Sequence, residues 1–255
     1  MTRVVVTGAF GRMGTTLSRM IAESDRLELA GGVGSRAGEQ FGRPVVPAAE
    51  LGCLLEEQRP DVLIDFTVAA AAVENIRVAA EHGVALVVGT TGFSSEQEVA
   101  NRTAIEGRVP AVVSSNYSIG VNIFWQILRE AAPRLAEYDI EVTEAHHRYK
   151  KDAPSGTAKT ILAILDEAVG EREKKYGRVG MDERGSEIGV HVVRGGDIIG
   201  DHSVLFAGNF ETITLSHRAY DRAVFATGAL RAAEWVVGRP AGIHTFAAVL
   251  GLEAS

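Results

Sequence analysis

The stretch from Glu144 to Thr157, Glu-Ala-His-His-Arg-Tyr-Lys-Lys-Asp-Ala-Pro-Ser-Gly-Thr, concentrates groups that move protons and hold anions. His146, His147, Arg148, Lys150 and Lys151 fall close together in a chain whose 33 acidic residues outnumber its 26 basic ones. An imidazole titrates near neutrality and can give or take a proton there. Ammonium and guanidinium groups attract carboxylates. Pro154-Ser155-Gly156-Thr157 then opens a helix, with Ser155 as its candidate N-cap. The free N–H groups of Gly156 and Thr157 would form an anion site at its start. Such a cluster fits a substrate with one or two carboxylates. Read from the residues alone, His146, His147 and Lys150 also make sense as a basic surface patch, with Arg148, Tyr149 and Lys151 solvated or structural. Neighbouring histidines rarely chelate one ion, and no His-Glu-x-x-His spacing occurs, so no metal is expected.

A second constellation lies at the other end of the chain. Gly8-Ala9-Phe10-Gly11-Arg12-Met13-Gly14 stands between the β-branched run Arg3–Thr7 and a helical pattern over Thr15–Ala22. Backbone N–H groups and a helix start offered together suit a pyrophosphate, and glycines let it approach. The dinucleotide fingerprint is G-x-G-x-x-G; here Ala9 falls where its first glycine would be expected. About 20 residues further on, that fingerprint places a carboxylate for the ribose of NAD. This chain has Ser35 and Arg36 instead, which suit a ribose 2′-phosphate, so NADPH is expected to serve at least as well as NADH. The alternative is that Arg36 is a solvated loop residue. Gly89, Thr90 and Thr91 follow one apolar strand, and Ser114, Ser115, Asn116 and Tyr117 follow another. Ligands in open α/β sheets bind outside such strand ends, and hydroxyls and an amide there can bond a nicotinamide riboside.

The elements that must position these groups are legible as pattern. Strand signals at Arg3–Thr7, Leu27–Ala30, Asp61–Phe66, Val84–Gly89 and Pro110–Ser114 alternate with helical ones at Thr15–Ala22, Ala69–His82 and Ser94–Ile105. This predicts a doubly wound, Rossmann-like parallel sheet covered on both faces. Beyond Asn116 the pattern changes. Helices are expected over Gly120–Leu135 and Gly156–Val169. Strands are expected at Ile140–Glu144, Ile188–Val193, His202–Phe206 and Glu211–Ser216, which predicts a second α+β domain with a mixed sheet. Glu171–Gly185 reads as a mobile surface loop, and Ala223–Val237 as a helix returning to the first domain. The expected division is 1–117 with 228–255 for the dinucleotide and 118–227 for substrate and oligomerisation. Hinge points are expected near Ser118–Gly120 and Thr227-Gly228.

Composition excludes several classes. The chain of 255 residues is 46% hydrophobic and 23% charged, which is ordinary for a globular protein. Its net charge of −7 argues against a nucleic-acid partner. No run reaches the ~18 apolar residues of a membrane span, and no leader pattern opens the chain, so a cytoplasmic protein is expected. The single cysteine, Cys53, makes no internal disulfide and no thiolate zinc cluster. In Leu-Gly-Cys-Leu-Leu it reads as a small buried residue rather than a nucleophile, which argues against a semialdehyde dehydrogenase. A non-catalytic NADP-binding sensor would keep the glycine turn but would not need the His146–Thr157 block.

Taken together, these motifs resemble the 4-hydroxy-tetrahydrodipicolinate reductase family, formerly called dihydrodipicolinate reductase. The resemblance rests on Gly8–Gly14, Asp65-Phe66-Thr67, Val88–Phe93, Glu144–His147 with Lys150, Asp152–Ala158, Arg194–Gly200 and Ser216–Arg218. It covers nearly the whole chain. It implies a Rossmann-like domain, a substrate domain and a homotetramer joined through the second sheet. It also implies a reductive step with NADPH or NADH in diaminopimelate and lysine biosynthesis. By motif position, His146 and Lys150 would donate protons. His147, Ser155, Gly156 and Thr157 would hold the cyclic dicarboxylate. Gly8, Ala9, Phe10, Gly11, Arg12, Met13, Phe66, Thr67, Gly89–Thr91 and Ser114–Tyr117 would hold the cofactor. In place of the acidic-then-basic pair frequent after the family's second strand, this chain has Gly34-Ser35.

Overall fold

Val4, Val5 and Val6 are wholly buried at the centre of β1 (Thr2–Thr7), the strand on which the first sheet is built. The chain continues through α1 (Arg12–Ala22), β2 (Leu27–Gly34), the short β3 (Gly38–Gln40) and β4 (Arg43–Pro47). It then runs through α2 (Leu51–Gln58), β5 (Val62–Asp65), α3 (Ala69–Glu81), β6 (Ala85–Val88), α4 (Ser95–Ile105) and β7 (Pro110–Val113). Helix α4 has a full capping box: Ser94 accepts from the Gln97 N–H, and the Gln97 side chain accepts from the Ser94 N–H. The computed structural model describes residues 1–252 and falls into two units, Met1–Ser118 with the chain from Arg222 onward, and Ile119–Asp221.

The second unit holds α5 (Ile119–Ala131), β8 (Asp139–His146), α6 (Gly156–Val169), β9 (Lys174–Tyr176), β10 (Ile188–Arg194), β11 (Gly200–Ala207) and β12 (Thr212–Ala219). The chain then returns to the first unit as α7 (Ala223–Val236), β13 (Gly242–His244) and α8 (Phe246–Leu250). Thr227 and Gly228 lie inside α7, so the return falls earlier than the sequence indicated, at Asp221–Arg222. Residues 253–255 of the expected 228–255 segment lie outside the described residues.

The first sheet has eight strands in the order β13-β7-β6-β5-β1-β2-β4-β3, all parallel except the β3–β4 pair. The chain fills one side of β1 with β2 to β4 and then crosses to β5 on the other. The switch point, where such sheets bind ligands, therefore lies beyond Thr7 and Asp65. Its core packs Val5, Leu63 and Leu86 against Ile76 of α3 and Ile105 of α4.

The second sheet is mixed, in the order β12-β11-β8-β10-β9; β8 pairs parallel with β10 and antiparallel with β11. Strand β8 buries every second residue: Ile140, Val142, Glu144 and His146. Val142, Val204 and Phe206 pack with Phe124 and Trp125 of α5 and Ile161 and Leu165 of α6. The alternation thus carries a carboxylate and an imidazole inward among apolar neighbours.

Three local expectations are corrected. Strand β2 runs on to Gly34, because pairing with β1 and β4 overrides the poor strand propensity of Gly31, Gly32 and Gly34. The 171–185 loop contains β9, which extends the sheet beside β10. Cys53 is exposed on α2, since the helix turns Leu51, Leu54 and Leu55 inward instead. Among the described residues no helix is long and apolar enough to cross a membrane.

Candidate active site

The glycine turn joins β1 to α1 as its spacing demands. Gly8 has φ +68°, and a Cβ at Gly14 would stand 2.1 Å from the Gly8 carbonyl oxygen, so helix and turn touch without a side chain between them. Helix α1 begins after Gly11 with no side chain capping it, and Gly11 and Arg12 are exposed. The N–H groups of its first turn are therefore offered to an anion, and this cradle fits a dinucleotide pyrophosphate. The Arg36 guanidinium lies 5.3 Å from the centre of the Phe10 ring, which holds it beside the turn, and Ser35 and Arg36 are both exposed.

At the switch point, Asp65 is fully buried and accepts five hydrogen bonds. Thr7 Oγ1 (2.6 Å), Thr90 Oγ1 (2.5 Å), Thr67 Oγ1 (2.9 Å), the Thr67 N–H (3.2 Å) and Asn75 Nδ2 (2.8 Å) all donate to it. Thr90 Oγ1 in turn accepts from the Thr67 N–H at 2.7 Å. One carboxylate thus ties the ends of β1 and β5 to the segments after β5 and β6.

This alters what several expected cofactor contacts can do. The hydroxyl hydrogens of Thr67 and Thr90 point to Asp65, which leaves lone pairs and backbone groups for a ligand. Ser114 Oγ donates to the Asn116 carbonyl and accepts from its N–H. Asn116 Oδ1 accepts from the Ser118 N–H. The Tyr117 side chain is turned furthest inward: its ring is buried against Phe66 and Phe246, and its hydroxyl reaches the Val88 and Val112 carbonyls at 3.0 and 2.8 Å, which leaves its backbone for a ligand. Ala9 is buried, its N–H bonded to Val33 and its carbonyl to Thr15 and Gln40. These groups shape the rim, while Gly11, Arg12, Ser35, Arg36, Thr91 and Ser115 are exposed along it and Phe10, Met13, Phe66 and Gly89 are half-buried.

The cationic block forms the candidate site of the second unit. Glu144 is fully buried at the end of β8. Arg194, from the end of β10, grips both its oxygens (Nη2 to Oε1 2.8 Å, Nη1 to Oε2 3.2 Å). The Ser155 N–H donates to Oε1 at 3.1 Å, and His146 Nδ1 is hydrogen-bonded to Oε2. Burial pushes the Glu144 carboxyl up, but the hydrogen bonds from His146 and Arg194 outweigh it and hold the group down at about 2. Ser155 caps α6 as expected, accepting from the Ala158 N–H at 3.2 Å, and also meets His202 Nε2 at 3.2 Å. His202 packs edge-on against His146, with ring centres 5.1 Å apart. Burial, helped by the neighbouring His146, pushes His202 down to about 3.

Lys150 Nζ lies 2.9 Å from Asp152 Oδ1, and the Asp152 carbonyl accepts from Arg194 at 2.7 Å. The loop between β8 and α6 is thereby tied to the same guanidinium that holds Glu144. Gly156 is exposed at the helix start with open space around its Cα, and Thr157 is buried beside it. His147 is half-buried near the Tyr149 ring. Glu144, His146 and His202 bring ligand atoms within 4.8 Å of one another, a spacing a metal ion can use. Arg194 already neutralises the carboxylate there, so a dication would enter against a fixed positive charge.

The family model described as dihydrodipicolinate reductase, N-terminus, matches residues 2–117, and the one described as dihydrodipicolinate reductase, C-terminus, matches residues 120–250. The chain belongs to the dihydrodipicolinate reductase family. A 4-hydroxy-tetrahydrodipicolinate reductase of Methanoculleus marisnigri is 67% identical, over 99% of this chain and 100% of that one. One of Methanoregula boonei is also 67% identical, over 99% of both. Among solved structures, a dipicolinate-bound dihydrodipicolinate reductase from Paenisporosarcina sp. TG-14 superposes with a TM-score of 0.78 at 26% identity, covering 96% of this chain and 97% of that one. Reductases of this family use NADPH or NADH, in keeping with the nucleotide-binding first unit.

Sequence reasoning passed over Arg194 and His202 as site residues and assigned no role to Glu144. The signal for Glu144 was present, because the period-two burial of β8 puts it in phase with His146.

Proposed function

We propose that this chain reduces 4-hydroxy-tetrahydrodipicolinate to tetrahydrodipicolinate, with NADPH or NADH as reductant and loss of one water, in diaminopimelate and lysine biosynthesis. The observation that carries this is the buried Glu144–His146 pair beside the open start of α6, in a chain of this family. A bound reduced nicotinamide supplies a hydride to C4 of the ring. Loss of the hydroxyl as water takes up one proton and releases one from the neighbouring ring carbon; the hydride that reaches C4 then leaves negative charge on the ring, which a proton from His146 or Lys150 meets. The N–H groups of Gly156 and Thr157, with His147, hold a substrate carboxylate. Gly8–Met13 hold the pyrophosphate, and Arg36 favours the 2′-phosphate of NADPH. Ser155 acts as the helix cap rather than as a direct contact. The remaining expected cofactor contacts act through the rim described above.

We also propose a homotetramer assembled through the second sheet, in the cytoplasm, with no nucleic-acid or membrane partner. Val193 and Ile213, exposed on that sheet, support the assembly. Sedimentation at several protein concentrations tests it, and a monomer throughout would refute it. The reaction is tested by a coupled assay that generates the substrate with the preceding enzyme and follows reduced-nicotinamide absorbance with each cofactor. No substrate-dependent loss of absorbance would overturn the reading.

A further inference from the structure

We infer that Glu144 is a positioning residue for this reaction: it fixes His146 in the Nδ1–H tautomer and so makes Nε2 the nitrogen that exchanges a proton with the substrate. The inference deepens the function proposed above and rests on it. Glu144 touches no ligand-facing surface; it is fully buried, and its bonds go to Arg194, Ser155 and His146. An ionised carboxylate is an acceptor only, and Arg194 with the Ser155 N–H keeps it ionised. The ring nitrogen facing it must therefore carry the hydrogen. Glu144 can take that role without adding net negative charge, because the Arg194 guanidinium balances it. His202 fixes the ring plane from the side. On the other edge of the ring stands Gly200, where a Cβ would crowd Nε2 at 3.2 Å, so it is the missing side chain of the neighbouring strand that spares the reactive nitrogen. The same carboxylate holds the Ser155 backbone at the start of α6, which locks the proton donor and the carboxylate-binding helix end to one anchor.

The test uses the full chain with ¹⁵N-labelled histidine rings, His146 being assigned by the signals lost in His146→Gln. At alkaline pH the wild-type protein should show a protonated Nδ1 and a bare Nε2 for His146. A protonated Nε2 would overturn the inference, and this arm needs no variant at position 144 to fold. In Glu144→Gln the ring signals should shift toward the other tautomer. In that variant kcat should fall about tenfold or more, while KM for the reduced cofactor changes by less than about twofold. An unchanged kcat would likewise overturn the inference. Glu144→Asp should recover part of the loss, because the charge remains and only the reach is shortened. A wild-type protein with the Nδ1–H tautomer but no reductase activity would sink the proposed function and leave the tautomer assignment standing.

Discussion

Asp65 and Glu144 are both carboxylates sealed from solvent at the end of a strand, one in each unit, yet they are kept in opposite ways. Asp65 is surrounded by neutral donors: three threonine hydroxyls, an amide and a backbone N–H. Glu144 is surrounded by cationic or proton-carrying groups, Arg194 and His146, with one backbone N–H. A neutral cage has no proton to pass on and freezes the loops it joins. A cage containing an imidazole keeps a proton in play while its guanidinium holds the charge in balance. Under the function proposed above, the difference divides the labour: one unit would present a rigid rim for a nucleotide, and the other would carry the acid–base chemistry.

The sharpest way to break this contrast is to remove the proposed proton donor. His146→Gln should lower kcat by about 10²- to 10⁴-fold and leave KM for the reduced nucleotide nearly unchanged. Lys150→Ala should cost rate and substrate affinity together; wild-type steady-state kinetics in either variant would remove that residue from the mechanism. Next in size, Asp65→Ala strands five donors without an acceptor. It should cost on the order of 3 kcal/mol and lower the melting temperature by about 10 °C, with weaker NADPH binding. Lys150→Ala, scanned in parallel, should melt close to wild type, and equal losses in the two variants would dissolve the contrast.

A smaller effect comes from His202, whose folded value lies near 3 against an ordinary 6.5. The unfolded chain takes up a proton below about pH 6.5 that the folded one refuses. Stability therefore falls with pH from there toward 3, by about 2 kcal/mol between pH 7 and 5. Glu144, held near 2, stabilises above about pH 4.5 and loses that contribution only as pH falls toward 2, so it adds nothing to this slope. Urea midpoints at pH 7, 6 and 5 should fall steadily in the wild type and stay flatter in His202→Gln; a flat wild-type profile contradicts the assignment. Smallest of all, Arg36→Ala should raise KM for NADPH about fivefold and leave NADH unaffected, as suits an exposed ion pair.

The alternation of strands and helices, the glycine turn and the Ser155 cap were legible because spacing alone determines them. Strand β9 was not, since three residues in a charged, glycine-bearing stretch carry no periodic signal and are recruited by the edge of β10. At the candidate site, residue types were readable but hydrogen-bond direction was not. Thr90 and Tyr117 are readable as polar groups at strand ends, but no spacing rule tells that their hydroxyls turn inward to acceptors supplied by distant segments. His202 escaped notice because only the antiparallel pairing of β11 with β8 places it opposite Glu144.

The exposed thiol of Cys53 has a practical consequence. With one cysteine in the chain and that one on the outer side of α2, a maleimide dye or spin label attaches at a single known address, with no residue to remove first. A second cysteine introduced on the exposed face of α6, at Lys159 or Ala163, would give a two-probe ruler read by resonance energy transfer.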